Sequence, residues 1–469
     1  MSHLSFIDLF MVLVFSLCVG IDYLMLRNQA RHQKGLLLGV TLPPEADALP
    51  EVQAIVRQYR KRLGLLSLCC VLSSLPLTLA EETALFITLW VFWYFIGLAL
   101  PTLPLLQANA KLKALKRAHG WQGSACRIVD TSVSAFALPK PIGRWTLLLP
   151  LALCLVPIAL PGLPRGLILA CCIDAGSVAL LWVLGRWTFR RREDMVTEDS
   201  TRNQTLLRVR RLYWDRFWRM NLWALAALNF ILTLSYRSEA AIAGVTLIFT
   251  VVLLLGELWM EFSVRRAQAA LTAHTAVIAD EDDAWLGGIL YYNPADKRFM
   301  VAKRLGLGTT VNLGTTAGKL YMGFFGLVLA ACLAIGPAFG ILDSQPVRLT
   351  LTENAPVCLV AFHGRSEKYS LAADTITEVQ LLDTLPEATR TWGTGMDHYE
   401  QGDFYVVGEG NAQFCLDPTQ KLFLRVEAKA PGEASPEVYW FTADSAAHTA
   451  AIARQLGAES PLLDQWDPQ

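Results

Sequence analysis

Charge is what this chain has least of. Only 17% of its 469 residues are charged, where a soluble domain carries about 25%. The shortage is concentrated in discrete apolar runs of roughly 17–23 residues, the length an α-helix needs to cross about 30 Å of hydrocarbon. A single water-soluble globule is thereby excluded. Recognisable catalytic chemistry is missing too. There is no Ser/His/Asp set, no His-Glu-x-x-His and no nucleotide fingerprint, and the seven histidines are scattered without ligand spacing. Gly314-Thr315-Thr316-Ala317-Gly318-Lys319 imitates a phosphate loop. It has three residues between its glycines where the motif needs four, and Leu320 stands where a magnesium-binding Ser or Thr belongs. The ten cysteines include no Cys-x-x-Cys pair. Cys69-Cys70 and Cys171-Cys172 are neighbours pointing to different helix faces, which suits small core residues better than a disulfide or zinc site. The expectation is a non-enzyme with no metal and no cofactor.

What is present is hydrophobic. Apolar residues make up 53% of the chain and the mean hydropathy is +0.37. Eight apolar runs, near 4–26, 63–80, 83–105, 145–160, 166–185, 222–235, 240–261 and 320–342, predict a polytopic α-helical membrane protein of about eight transmembrane helices. The first run reads as an uncleaved helix, since Met1-Ser2-His3 lacks Lys and Arg and Asp8 interrupts its start. Glu81-Glu82, Pro161-Gly162-Leu163-Pro164 and Tyr236-Arg237-Ser238-Glu239 are tight turns between paired runs. The connections 27–62, 106–144, 186–219 and 262–319 carry 31 Lys/Arg, against two, Arg165 and Arg237, in the alternate connections. Basic loops stay in the cytoplasm, so the N-terminus and everything after 342 are expected outside. The arginines of 202–219 read as contacts to anionic membrane lipids, not to nucleic acid.

Residues 343–469 change character. From 342 onward there are eight Lys/Arg against nineteen Asp/Glu, a balance of −11. Alternating stretches at 404–407, 422–426 and 438–441 read as strands between glycine turns. Asp444-Ser445 then opens an Ala-rich helix that Gly457 closes. The expectation is a mainly-β domain with a terminal helix.

Several side chains stand out. Asp174, near the middle of the fifth run, is either a proton or ion relay or one half of an interhelical hydrogen bond, with Asn229 as partner. Glu257 and Glu261 share one face of the seventh helix, either as part of a site or solvated at headgroup depth. Cys358 and Cys415 are the only cysteines beyond 342, and an oxidising exterior permits a disulfide between them. Trp392 and Tyr399 flank the Gly393-Thr394-Gly395 turn. With Tyr405 they form either a rim for a peptide or protein partner or part of the domain core.

Two stretches carry a resemblance. Trp285-x-x-Gly288-x-x-Tyr291-Tyr292-Asn293-Pro294, followed by Lys303-Arg304-x-Gly306-x-Gly308, resembles a short bacterial domain of unknown function. It would make 283–319 a small cytoplasmic unit. That domain occurs in multi-pass membrane proteins similar to SdpI, a bacteriocin immunity and signalling protein. Leu38-Gly39-Val40-Thr41-Leu42-Pro43 with Tyr59 supports the likeness more weakly. The tail, through Leu382-x-x-Leu385-Pro386, Gly393-Thr394-Gly395 and Tyr399-x-x-Gly402-x-Phe404, resembles a bacterial pleckstrin-homology-like domain. That implies a seven-stranded barrel capped by a helix. Together they imply a sensor, scaffold or immunity/envelope-stress protein of the bacterial cytoplasmic membrane. The alternative is an ion-coupled permease using the intramembrane carboxylates.

Overall fold

A computed structural model describes residues 6–32, 35–121, 143, 145–187, 200–272, 280–305, 309–352, 357–429 and 435–466. The apolar runs are helical. α1 is Phe6–Asn28. α2, Pro50–Leu72, opens with a proline in its first turn, where the missing N–H has no partner to lose, and a 3-10 turn at Leu75–Leu79 follows it. α3, Thr83–Ala99, passes through a 3-10 turn at Leu100–Thr102 into α4, Leu103–Ala118. Pro101 and Pro104 break the backbone ladder at this joint. α5 is Trp145–Leu155, α6 Arg165–Trp187, α7 Ser200–Leu234, α8 Glu239–Thr272 and α9 Thr316–Asp343.

Among the described residues, seven helical spans are long and apolar enough to cross a membrane. The fourth run falls short. Pro150 lies inside α5 and Pro157 follows it, leaving a shorter apolar helix over Trp145–Ala159. Other helices overshoot their apolar runs. α7 has 35 residues and starts at Ser200, where the apolar run begins only near 222. At 1.5 Å per residue it is about 52 Å long. Polar residues without Pro or Gly continue the hydrogen-bond ladder, so helix length here exceeds apolar length.

α1 packs on α2, α3 and α8, while α5, α6 and α7 pack on one another and α7 on α8. Phe15, Val19, Cys70 and Trp90 fill the core of the first group, and Cys154, Val178, Leu222 and Ala226 that of the second. α9 packs on α3. A Cβ on its Gly336 would fall 2.2 Å from Thr88 Oγ1, and Gly340 sits against Ala84, so small residues bring these two backbones close.

Long connections and short ones emerge at opposite ends of the bundle. At the basic end lie two small hairpins. One pairs β1 (Leu36–Leu37) with β2 (Val40–Thr41), and the other pairs β3 (Trp285–Leu286) with β4 (Leu290–Tyr291). β5 (Met300–Ala302) and β6 (Thr309–Val311) follow as a third antiparallel pair just before α9.

At the short-loop end sits the C-terminal domain. β7 (Val347–Leu351), β8 (Cys358–His363) and β9 (Ser366–Ala372) form a three-stranded antiparallel sheet. β10 (Ile376–Leu382), β11 (Ala388–Gly395), β12 (Glu400–Val406), β13 (Gly410–Leu416), β14 (Phe423–Ala428) and β15 (Glu437–Phe441) form a second sheet in the order β10-β14-β15-β13-β12-β11. The β13–β15 pairing is parallel. Among the described residues the domain has nine strands in two sheets, where the resemblance implies seven in a barrel. Leu349, Leu359, Leu424 and Phe441 pack between the sheets with Ala450 and Ala453 of α10 (Ala446–Gln455). Ser445 caps that helix, accepting from His448 N.

Candidate functional site

The two hairpins at the basic end both turn on two successive residues at positive φ, the first in a two-residue loop and the second in a three-residue loop that adds Ile289. Leu38 and Gly39 have φ of 49° and 77°, and Gly287 and Gly288 have 60° and 75°. In the two-residue loop of β1–β2, positive φ at both central residues is the turn that matches the twist of the strands. The turns lie back to back. A Cβ on Gly39 would stand 3.0 Å from Gly288 Cα, and one on Gly288 would stand 3.2 Å from Gly39 Cα. Asn109 of α4, 1% exposed, donates to Leu38 O at 2.8 Å beside them. Trp285 and Tyr291 are buried and packed ring to ring, while Tyr292 is exposed.

A buried ion cluster welds the hairpins to α4. The Asp282 carboxylate accepts from Thr41 N at 3.2 Å, Thr41 Oγ1 at 3.0 Å and Lys116 Nζ at 2.7 Å. It also accepts from Arg304 Nη2, which donates to Thr41 Oγ1 as well. Lys116 holds Asp280 at 2.6 Å. Lys113 Nζ donates to the carbonyl oxygens of Asp282 at 2.5 Å and Trp285 at 2.6 Å. The side chains of Lys116, Asp282 and Arg304 are only 5%, 8% and 5% exposed. Burial pulls the Arg304 guanidinium below its ordinary range and Asp282 opposes that pull. Such a cluster is tolerable only because opposite charges and hydrogen bonds offset desolvation. Lys303, next to Arg304, is exposed, and Gly306 and Gly308 lie outside the described residues.

Asn312, fully buried, ties the next turn. Its side chain accepts from Asn293 N at 3.0 Å and Gly314 N at 2.9 Å, and donates to Asn293 O at 2.8 Å and Asp296 O at 2.7 Å. Pro294 follows Asn293 in that turn. A Cβ on Gly318 would fall 1.9 Å from Asn312 O, so only glycine lets α9 start this close. Thr315 caps the helix by accepting from Gly318 N. Asp296 is held down to about 2, first by its hydrogen bond from Arg298.

At the other end the β-domain grips helix N-termini. Asp397 accepts from Thr83 N at 2.7 Å and Thr83 Oγ1 at 2.6 Å, at the start of α3. Asp403 accepts from Gly166 N at 2.8 Å, at the start of α6. A carboxylate at a helix N-terminus satisfies orphan N–H groups and favours the helix dipole. The surplus of acid in this domain thus includes side chains placed where helices present positive ends. Asp343, ending α9, accepts from His398 N at 2.9 Å.

The two readings left open for the aromatic residues divide here. Tyr399 is 1% exposed and stacks on buried His363 with ring centroids 3.5 Å apart, so its ring belongs to the domain core. Trp392 is 41% exposed but lies over Gly166, where a Cβ would stand 2.1 Å from Trp392 Cβ. Tyr405 meets Tyr236 edge-on at 5.7 Å, with Arg237 above its ring. Both rings face the helical bundle. Cys358 and Cys415 are free thiols. Alternation along β8 turns Cys358 away from the core that Leu359 and Ala361 enter, and Cys415 lies in that core with burial pushing its thiol up to about 12.

Within the bundle, Asn229 Nδ2 donates to Asp174 Oδ2 at 2.5 Å. The interhelical hydrogen bond is therefore the pairing that these two residues make. Glu257 and Glu261 line a cleft of about 260 Å³ between α1, α7 and α8, with Ile21, Tyr213, Trp214 and Phe217 among its walls. Glu261 is ion-paired with Arg265 at 2.6 Å. The first apolar run hides another carboxylate. Asp22 Oδ2 is buried with no hydrogen-bond partner among the described residues. A lone acid in an apolar stretch, the signal that picked out Asp174, would have found it. No group of three or more potential metal ligands occurs among the described residues.

Compared with known proteins, residues 294–319 match the model of a family of unknown function (DUF5808). No curated protein and no solved structure matches the chain. The family match carries the second half of the 283–319 resemblance. It brings with it neither the SdpI-like nor the pleckstrin-homology-like likeness. In structural terms it covers the Asn312 turn, Arg304 of the ion cluster and the first residues of α9.

Proposed function

We propose that this chain is a non-enzymatic sensor or scaffold of a bacterial cytoplasmic membrane, with the β-domain outside and the paired hairpins inside. The observation that carries the reading is α9. One 28-residue helix leaves the Asn312 turn at the basic end and runs to Asp343, four residues before β7, with Pro337 near its far end. It is about 42 Å long. The family-matched turn and the β-domain are thus joined by a single helix, which suits relay of binding at one end to the other. The −11 balance of the tail and the concentration of basic residues in the opposite loops support the orientation. A partner, protein or peptide, would engage surfaces of the β-domain other than the Trp392–Tyr405 face. The SdpI-like resemblance adds peptide-toxin immunity or envelope stress as the setting.

Two measurements test this. Alkaline phosphatase fused after Leu342 should be active and fused after Arg266 inactive, and the reverse pattern overturns the orientation. Asn312→Ala should alter hydrogen exchange at 396–400 in the full chain. If exchange there is unchanged while the 293–314 turn loosens, the two ends are not coupled and the sensor reading fails.

A further inference from the structure

The cleft between α1, α7 and α8 holds an acid, Glu257, that no described residue pairs with. Glu261 on the same helix face is taken by Arg265 at 2.6 Å. Glu257 makes no hydrogen bond or ion pair among the described residues, yet it is half-buried in the cleft wall. Facing it, α7 presents Trp214 and Phe217, edge to face with centroids 5.3 Å apart, with Tyr213 beside them and Arg210, itself engaged in another interaction, at the cleft margin. Ile21 and Met25 of α1 close the apolar side. The volume, about 260 Å³, exceeds what side-chain packing defects leave and suits a small ligand or one end of a larger one. Along α8, Glu257 lies eighteen residues past Glu239, about 27 Å by helical rise, which puts it close to the basic end of the bundle.

We propose that this cleft binds an amphiphile bearing an ammonium group. The ammonium sits against the Glu257 carboxylate and over the α7 rings, and the apolar body lies along Ile21 and Met25. A carboxylate in an apolar wall is costly unless a cation compensates it. Aromatic faces add attraction for an alkylammonium, and more so where water is displaced. A neutral apolar ligand would leave Glu257 unpaired, and an anion would be repelled by it, Arg210 being already engaged and Glu261 already taken by Arg265. The same chemistry can come from an aminophospholipid of the bilayer or from a soluble cationic amphiphile. The proposal rests on the helices being membrane-embedded. Recovery of a monodisperse chain without detergent would overturn that premise separately.

The test uses the full chain purified in maltoside detergent, which carries no ammonium. Lipid extraction followed by mass spectrometry reads the first source, and saturable binding of radiolabelled dodecylammonium reads the second. Glu257→Gln keeps the shape and removes the charge. Leu254→Trp fills the cleft and keeps the charge, so it guards against misfolding of one variant. Retention of about one aminophospholipid per wild-type chain, lost in both variants, assigns the site to lipid. Saturable dodecylammonium binding weakened at least tenfold by both, with dodecanol bound equally by wild type and Glu257→Gln, assigns it to a free cation. The proposal is overturned if neither ligand is held saturably, or if Glu257→Gln holds it as well as wild type does.

Discussion

The two ends of the helical bundle solve one problem differently. Each must fasten a compact piece onto exposed helix termini. The basic end uses a buried, charge-balanced cluster in which Asp282 answers Lys116, Arg304 and Thr41 together. The other end uses Asp397 and Asp403 as caps on α3 and α6, with Trp392 and Tyr405 laid over the turns. A cap satisfies N–H groups that water could also satisfy. A buried ion triad has no such substitute. The first fastening should therefore be brittle and the second graded.

The sharpest way to break that contrast is Asp282→Ala. It strands Arg304 and leaves Lys116 with Asp280 alone, and should cost about 3–5 kcal/mol of local stability. Hydrogen exchange at 36–41 and 285–291 would read it, and unchanged exchange would mean that the hairpins hold without the charge. Next in size, Tyr399→Ala should destabilise the β-domain by about 3 kcal/mol through the lost aromatic core. Trp392→Ala, being 41% exposed, should cost under about 1 kcal/mol. Denaturation followed by near-ultraviolet circular dichroism separates the two, and equal losses would contradict the burial difference. Asp397→Ala should cost about 1 kcal/mol, as lost caps do. It should loosen the contact with Thr83 while leaving the hairpin end untouched, and protease sensitivity of the 80–83 turn would report it.

The smallest effect is in pH. His363 is buried against Tyr399, and burial, then Lys368, pushes its imidazole below the ordinary range, with Asp343 at the end of α9 opposing. A base whose folded pKa is depressed binds protons more readily when unfolded. Stability is thus full above about pH 6.5 and falls as the pH drops through that value towards the lower folded one. Melting of the full chain between pH 7 and 5 should show this loss, and His363→Leu should shrink it. An undiminished loss in the variant would place the titration elsewhere.

Much of the helical part was legible because apolar length and turn residues act locally. Glu81-Glu82 and Pro161–Pro164 stand between helices as read, and Ser445 caps α10. What escaped was non-local. Lys116 and Asp282 are 166 positions apart, and no periodicity in one sequence pairs them. Helix ends escaped for a different reason: α7 and α2 continue through polar residues that a search for apolar runs cannot count. Tyr399 stayed ambiguous because a glycine-flanked aromatic looks alike on a rim and in a core. Only the pairing of β11 with β12, and the stack on His363, decide between them.

The hairpin contact also sets a schedule. Thr41 waits for Arg304 across 263 positions. At roughly 5–20 residues per second of synthesis that interval is about 13–50 s. Through most of it the first hairpin, joined 75 residues later by Lys116, exists without the partners that will bury it. The earliest-made part of the basic end is therefore among the last to become native. A chain cut just before Asp280 keeps α1 to α8 but can never close that end.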